Sequence, residues 1–553
     1  MQKTILSIAL LALSCGVAAQ QLPGGGGQLQ QIPQAPTSPR PAPDIRIEPR
    51  TTPAAPATDQ ARIVVNSLRV TGATLYSEAD LIALTGFVAG AQLSLSDLQA
   101  MAARIVEHYR RNGYFVAQAF LPAQEIKDGA VTIAVSEGRY GNVTLKNQSR
   151  LADGLARGML RGLNSGDIIA NAPLENRLLL LSDLPGVNVR STLVPGAAPG
   201  TSDLIVDVTP GQTISGSVDA DNAGNRYTGA YRVGATVNVN NPMGQGDVAS
   251  LRVLTSGEGL KYARASYQMQ FDKLQAGVAL SKLDYSLGKE FEPLGAHGTA
   301  EIASVYGRYP LIRSRRDNLY LQMQVDAKSF HDVVDLTSSV TDRKSRVLSA
   351  GVAGDHRDSI GGGGLTAYSL TLAAGNLDIQ TPSARAEDAI TARSNGSFQK
   401  LSFYAMRLQS LGGPVSIYAA INGQAASKNL DISEKMELGG MNAVRAYPEG
   451  EAFGDQGYVA TAEARWDLPK FGSMPGQVQL VAFVDHGSVT LNKRPWHGGD
   501  NHRTLSAAGL GAVWSDSGNF MVRTYYAHKL GHEPALSAPD RSGRFWIQAV
   551  KYF

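Results

Sequence analysis

Cysteine is almost missing from this chain: Cys15 is the only one in 553 residues. It lies in an N-terminal stretch with a basic start, Met1-Gln2-Lys3, an apolar core from Ile5 to Leu13 and a small-residue site, Val17-Ala18-Ala19. That pattern predicts a secretory signal peptide over residues 1–19, removed on export. Ala12-Leu13-Ser14 before Cys15 is a poor lipoprotein context. The mature chain then has no thiol, which excludes disulfides, thiolate metal sites and a cysteine nucleophile. Long apolar runs are missing as well: beyond the first twenty residues none approaches the ~20 residues of a membrane helix. Charge of one sign is scarce too. Lys plus Arg is 51 and Asp plus Glu 48, too small an excess to point to nucleic acid. The chain has no Gly-x-Ser-x-Gly, no Gly-rich loop ending in Gly-Lys-Ser/Thr and no His-Glu-x-x-His. His528 and His532 stand four apart beside Glu533, but at a strand end and loop; His497 and His502 fall in a Gly/Asp/Asn loop. Gly361 to Gly364 is a turn with no helix after it to make a phosphate cradle. The sequence therefore predicts no catalytic residue, no metal site and no cofactor.

What the chain has instead is glycine, 59 residues of it, and alternation. From Gln20 to about Ala61 a Gly run and a Gln stretch precede Pro33, Pro36, Pro39, Pro41, Pro43, Pro49, Pro53 and Pro56. So much proline predicts an extended linker, compatible with a short helix near Gln28 to Ile32. Two small α/β modules follow, over residues 62–137 and 138–209. In the first, Arg62 to Thr71 alternates as a strand, and Leu98, Met101, Ile105 and Tyr109 recur at helical spacing. Ser94 or Ser96 caps that helix and Asn112-Gly113 ends it. Strands Phe115 to Leu121 and Ala130 to Ser136 complete the module. The second has a strand at Val143 to Lys146, helices near Leu151 to Leu160 and Pro173 to Leu181, and strands Val187 to Leu193 and Asp203 to Val208. Helices against a small sheet leave an open sheet edge.

From Pro210 to the end, segments of about ten alternating residues recur every ~20 residues between Gly, Asn, Asp and Pro, the pattern of a transmembrane barrel. In the clearest, Leu319, Leu321, Met323, Val325 and Ala327 would face lipid, and Tyr320, Gln322, Gln324, Asp326 and Lys328 an aqueous interior. Between Gly457 and Leu468, Glu463 and Arg465 would point inward. About sixteen segments start near Thr213, Arg226, Val248, Lys261, Leu274, Ala300, Asn318, Lys344, Leu365, Ser397, Pro414, Gln456, Gly476, Arg503, Asn519 and Ser542. The connection after the eleventh, Ala425 to Asp455, is the longest and forms the sixth outer loop. At its centre stands Arg445, beside Tyr447 in the Gly-rich run Gly439 to Gly457. In the thirteenth segment Val478, Leu480, Ala482 and Val484 take the lipid parity, so Asp485 points inward. A bidentate guanidinium–carboxylate pair would fix a folded-back loop in geometry as well as charge. Spacing alone favours the plainer alternative, a solvated loop arginine and an ordinary lumenal acid.

The residues now laid out resemble the TpsB transporters of two-partner secretion, relatives of BamA. Leu184-Pro185-Gly186-Val187, then Pro195-Gly196, Gly200 and Asp203-Leu204, are similar to that family's POTRA signature. Asn241-Pro242-Met243-Gly244-Gln245-Gly246-Asp247 resembles its early periplasmic turn. Val444-Arg445-Ala446-Tyr447 resembles its loop-tip motif Val-Arg-Gly-Tyr, with Ala446 in place of the Gly. Phe483-Val484-Asp485-His486-Gly487 resembles the Phe-x-Asp-x-Gly strand motif whose Asp pairs with that Arg. The resemblance implies a transmembrane antiparallel β-barrel of about 16 strands with two N-terminal periplasmic POTRA domains, in a Gram-negative outer membrane. It implies a loop–barrel lock of Val444, Arg445, Tyr447, Phe483, Asp485 and Gly487. It implies a partner too: an unfolded TpsA-type exoprotein, adhesin or haemolysin, captured by the POTRA domains and threaded through the barrel. Outer-membrane lipid, periplasmic chaperones and the barrel assembly machinery would be its other partners, with no nucleic acid. The family's N-terminal plug helix is not evident in the sequence. The chain ends on Phe553, as outer-membrane assembly signals do, although Lys551 on the same parity is atypical. Rival readings are a BamA-type insertase, for which five modules would speak, and a simple porin, against which the two soluble modules and the Arg445 loop argue.

Overall fold

Residues 23–37, 44–47, 61–257 and 259–553 are described by the structure, a computed structural model. The stretch read as a signal peptide, with Cys15, and most of the Pro-rich segment lie outside the described residues. The chain divides into two compact units, the first formed by Met1–Arg40, Thr213–Pro242 and Asp247–Phe553 and the second by Pro41–Gln212 with Met243–Gly246.

In the second unit, β1 (Asp44–Ile47) is followed by β2 (Arg62–Val65) and β3 (Ser67–Thr71). The alternation of Arg62 to Thr71 suggests one strand; the chain instead breaks at Asn66. There the Asn66 N–H donates to the Gly129 carbonyl at 2.8 Å and its side chain to the Asp128 carbonyl at 3.0 Å. The two halves join different partners: β2 pairs with β4 (Ala91–Ser94), and β3 with β6 (Ala130–Ser136), which also pairs with the short β5 (Gln118–Phe120). A helix that periodicity did not suggest, α2 (Glu78–Thr85), is capped by Ser77, whose hydroxyl accepts from the Asp80 N–H; Ser77-Glu78-Ala79-Asp80 carries that signal. The longer α3 (Leu95–Arg111) starts from a full capping box of Ser94 and Asp97 and buries Leu98, Met101, Ile105 and Tyr109. These pack with Val65, Leu81, Val131 and Ile133 into one core. Burial pushes the Glu137 carboxyl up, but hydrogen bonds from Thr74, Leu75 and Tyr109 prevail and hold it below the usual carboxylate range.

The other half of that unit has a four-stranded sheet in the order β1-β8-β9-β7, with β7 at Arg139–Asn147, β8 at Val187–Pro195 and β9 at Thr201–Pro210. Helices α4 (Asp153–Met159) and α5 (Asn171–Ser182) supply Met159, Leu174, Leu178 and Leu181 to a core completed by Val189, Leu193, Leu204 and Val206.

The first unit is a closed barrel of sixteen antiparallel strands. Eleven come in sequence: β10 (Ile214–Asp221), β11 (Arg232–Asn240), β12 (Val248–Thr255), β13 (Leu260–Phe271), β14 (Leu274–Ser286), β15 (Ala296–Arg313), β16 (Asp317–Val334), β17 (Ser339–Asp358), β18 (Gly364–Ile379), β19 (Gly396–Ser410) and β20 (Val415–Ala426). A long connection carries the two-residue strands β21 (Met436–Glu437) and β22 (Phe453–Gly454), which pair with each other. Then follow β23 (Gln456–Asp467), β24 (Gln477–Thr490), β25 (His502–Asp516), β26 (Phe520–Lys529) and β27 (Gly543–Tyr552). Strand β10 closes on β27 through a register from Ser217↔Tyr552 to Asp221↔Gln548, extended by mutual backbone bonds between Gly216 and Phe553. The second strand starts at Arg232 rather than near Arg226, because Asn225 Oδ1 takes the Tyr227 N–H in a tight turn and Tyr227 packs on Phe291. Alternation places Leu480 and Val484 on the outside, 42% and 50% exposed, while their neighbours Val481, Phe483 and Asp485 are buried. An exposed apolar face and a buried polar one suit a wall between lipid and lumen.

The lumen is not empty. The Gly-rich stretch forms a short helix, α1 (Gly25–Gln30), which starts ahead of the Gln28 to Ile32 span where the sequence allowed one. Three of its six residues are glycine, which disfavours a helix in isolation. Contact explains them: a Cβ on Gly26 would stand 2.9 Å from the Ser433 Cβ, and one on Gly27 3.1 Å from the Ile432 Cδ1. At its start the Gly25 N–H donates to Asp332 Oδ1 at 2.9 Å, where a carboxylate suits the helix dipole. At its end Arg232 Nη1 donates to the Gln31 carbonyl at 2.7 Å.

Candidate functional site: the Arg445 loop inside the barrel

The connection between β20 and β23 leaves the barrel wall and folds back into the lumen. Its interior is held by its own backbone: Leu438 N–H donates to the Ala452 carbonyl at 2.9 Å, Val444 N–H to the Leu438 carbonyl at 3.1 Å, and Gly440 N–H to the Tyr447 carbonyl at 3.1 Å. The resulting tip presents Arg445 to the wall. Arg445 is 4% exposed and Asp485 0%.

Arg445 meets Asp485 through both guanidinium edge nitrogens: Nε donates to Oδ2 at 2.8 Å and Nη2 to Oδ1 at 2.7 Å. The Arg445 backbone N–H adds a third bond to Oδ2 at 3.1 Å. Nη1 donates to Glu463 Oε1 at 2.9 Å, and the other Glu463 oxygen accepts from Arg465 Nε at 2.9 Å and Nη2 at 2.6 Å. Two arginines thus face two carboxylates. Thr461 Oγ1 donates to Asp485 Oδ1 at 2.9 Å, and the indole N–H of Trp546 donates to the Arg445 carbonyl at 2.6 Å. The guanidinium carbon lies 3.4 Å from the centre of the Phe483 ring and 4.9 Å from that of Tyr525. Burial pushes the Arg445 pKa down, yet the hydrogen bond and charge of Asp485 and the charge of Glu463 prevail and raise it. The arginine is permanently charged and geometrically fixed.

The other residues singled out around this loop fall in the same place. Val444 and Tyr447 are buried, and the Tyr447 hydroxyl donates to the Glu533 carbonyl at 3.0 Å. Gly487 lies under the loop, where a Cβ would come within 2.5 Å of the Leu438 Cδ1. Ala446, standing where the related motif has Gly, is buried and does not adopt a left-handed backbone, so its methyl group is tolerated. The second-unit residues are a separate set. Leu184 is in the core; Pro185 and Gly186, the latter at φ +71°, make the turn into β8. Pro195 ends β8, Gly196 opposes Thr201, and Asp203 Oδ1 accepts from the Asn142 N–H at 2.6 Å. These six shape the sheet of the second unit, whereas Arg445 belongs to the first.

Four contacts were not legible as parts of the site: Glu463, Thr461, Tyr525 and Trp546. The signal for two of them was present as parity, since Glu463 was readable as inward; it needed the register that sets Thr461 opposite Asp485 and Glu463 opposite Phe483. A further anchor is Glu451, buried, which accepts from the Leu536 and Ser537 N–H groups and from Arg503 Nη2 at 2.6 Å. It pins the far side of the loop to the connection between β26 and β27.

Comparison with known proteins agrees with this architecture. Residues 200–513 match the family "Haemolysin secretion/activation protein ShlB/FhaC/HecB", and residues 63–138 match the ShlB-type POTRA domain. The heme/hemopexin transporter protein HuxB of Haemophilus influenzae is 32% identical over 473 residues, covering 84% of this chain and 82% of HuxB. The outer membrane transporter CdiB of Dickeya dadantii is 22% identical over 78% of this chain and 77% of its own. Among solved structures, CdiB from Escherichia coli superposes with a TM-score of 0.68 at 21% identity, over 92% of this chain and 93% of that one. BamA from Haemophilus ducreyi reaches 0.54 at 15% identity, over 89% and 100%, a likeness of fold alone. With its closed sixteen-strand barrel, its N-terminal POTRA domain and these relatives, the chain belongs to the ShlB/FhaC/HecB family, the outer-membrane transporters of two-partner secretion.

Proposed function

We propose that the chain exports one TpsA-type exoprotein, or a few related ones, and that Arg445 and Asp485 hold the in-lumen loop in the transport-competent position. The buried bidentate pair carries this reading: a loop held only by solvated contacts would not need a fully desolvated arginine on the wall. Val444, Tyr447, Phe483 and Gly487 serve the same lock by filling or clearing the space around it. The exoprotein arrives unfolded and is captured in the periplasm by two POTRA domains, residues 62–137 and 138–209. The second of these is supported by its own sheet, helix pair and core. Transfer moves the client extended through the barrel, with α1 and the loop cleared from its path. The name of the 32%-identical relative makes a client that engages heme or hemopexin the first to test. Chaperones and the barrel assembly machinery deliver the transporter itself, and it catalyses no reaction. Secretion of the exoprotein encoded beside this chain is the test, comparing wild type with Arg445→Ala at equal barrel levels. Retention of the client with Arg445→Ala supports the lock; normal secretion sinks it.

A further inference from the structure

The outer face of the barrel carries two cations that the fold leaves unmatched. In β17 alternation buries Ser345 and Val347 and turns Lys344, Arg346 and Leu348 outward, all three exposed. Among the described residues neither Lys344 nor Arg346 has an ion pair or a side-chain hydrogen bond. The facing residues show why. From β14 to β18 one outward row reads Lys282, Glu301, Ser329, Lys344 and Asp378. Lys282 meets Glu301 at 3.1 Å, whereas Asp378, beside Lys344, turns to Arg385 of α6 (Pro382–Ile390) at 3.9 Å. Asp342, the next outward residue beyond Lys344, is held by His331 at 2.7 Å. In the next row toward the membrane, Arg346 stands between Ala327 and Asn376, with no acid on either side.

Height gives the pair a setting. Strand β10 follows the periplasmic domain in the chain, so odd strands run outward and β17, the eighth, runs inward from Ser339. At the far end of the same outward row, His356 pairs with Asp317 and Asp358 with Arg407. These charges end a stretch whose outward residues are Leu348, Ala350, Val352 and Gly354. From Arg346 to His356 is ten residues. At about 3.4 Å each and a tilt of about 40° they rise about 26 Å, the height of an outer-membrane apolar band. Arg346 therefore stands where hydrocarbon meets the headgroups of the outer leaflet, a level at which the lipid face tolerates a charge. Beside it lies a groove of about 540 Å³ over β18. Its outer row holds Arg346 and Asn376, and its next row Leu348, Ala374 and Gln399. The small side chain of Ala374 leaves a slot between its longer neighbours on β17 and β19.

We propose that Lys344, Arg346 and this groove bind the phosphorylated glycolipid of the outer leaflet. A guanidinium pairs with phosphate through two parallel bonds, and an ammonium adds a second point charge. Asn376 and Gln399 offer amides to sugar hydroxyls. An acyl chain lies along Leu348 and Ala374, where it covers exposed apolar surface. The charge favours this occupant over a zwitterionic phospholipid, whose own ammonium would meet the two cations. The proposal needs the outer-membrane location of the barrel and does not depend on the lock assigned to Arg445.

The test uses the full chain in detergent, titrated with bisphosphorylated lipid A, with the same lipid dephosphorylated, and with phosphatidylglycerol. Native mass spectrometry counts the bound lipid, and heat-modifiable gel mobility confirms an assembled barrel. Wild type is expected to hold bisphosphorylated lipid A at least tenfold more tightly than either of the other lipids. Lys344→Gln with Arg346→Gln should lose that tenfold preference, and Arg346→Gln alone at least threefold of it. Lys282→Gln, in the same row but matched by Glu301, should change it less than twofold. Equal lipid A binding by wild type and the double variant would overturn the site. Equal binding of the dephosphorylated lipid by wild type would overturn the role of the phosphate. Phosphatidylglycerol bound as tightly as lipid A would overturn the glycolipid as occupant.

Discussion

The lumenal loop meets one acidic cluster on the barrel wall and holds another of its own, and the two differ in one respect. Around Arg445, two carboxylates face two guanidinium groups, and each is bonded to at least one. A few residues away, Glu437 and Glu449 face each other with neutral donors only: the Gly450 N–H and Gln31 Nε2 (3.4 Å) for Glu437, the Met441 N–H (2.8 Å) for Glu449. Arg232 lies close enough to be felt but gives its Nε to Asp221 at 2.9 Å. Burial and mutual repulsion push Glu437 well above the usual carboxylate range, and burial raises Glu449 to about 7. The wall anchor thus has a bonded cation for every carboxylate, and the loop's own acid pair has none.

That contrast can be broken at four points. Arg445→Ala leaves Asp485 buried and uncompensated, a loss of about 3–5 kcal/mol in holding the loop; limited proteolysis should cut the loop readily in this variant and not in wild type. Arg445→Lys keeps the charge without the fork and should lie between the two. Gly487→Ala forces a methyl group against Leu438 and the Tyr458 carbonyl, an overpacking cost of about 1–3 kcal/mol, seen as a lower loop-protection temperature with the barrel intact. Phe483→Leu removes the ring over Arg445 and should weaken the anchor by about 0.5–2 kcal/mol; a double-mutant cycle with Arg445→Lys measures the coupling. The smallest effect concerns pH. Glu449 prefers its proton in the seated loop, so its contribution is full below its ordinary value of 4.5 and is lost as pH rises through about 7. Loop protection should therefore fall from pH 5 to pH 8, and Glu449→Gln should flatten the slope. A slope unchanged by that substitution would show that another group titrates there.

Much of the barrel was legible because its signal is local. A period of two needs only neighbours, and the strand beginnings at Val248, Leu274 and Gln456 are those that alternation marks. The pairing of Arg445 with Asp485 was legible only through resemblance, since 40 residues and a folded-back loop separate them. Glu463 shows the limit: its inward parity is a property of one strand, but its closeness to Arg445 depends on how two strands align. Helix α1 was hidden for another reason. Propensity argues against a glycine helix, and what selects it is the narrow space beside Ile432 and Ser433, which no local pattern records.

That glycine helix has a mechanical consequence. Each glycine lowers intrinsic helix stability by about 1 kcal/mol relative to alanine, so α1 keeps its shape only while its seat enforces it. Removed from the seat, α1 would not leave as a rigid rod that must tilt and clear the walls. It would melt on leaving and be drawn out as a thread.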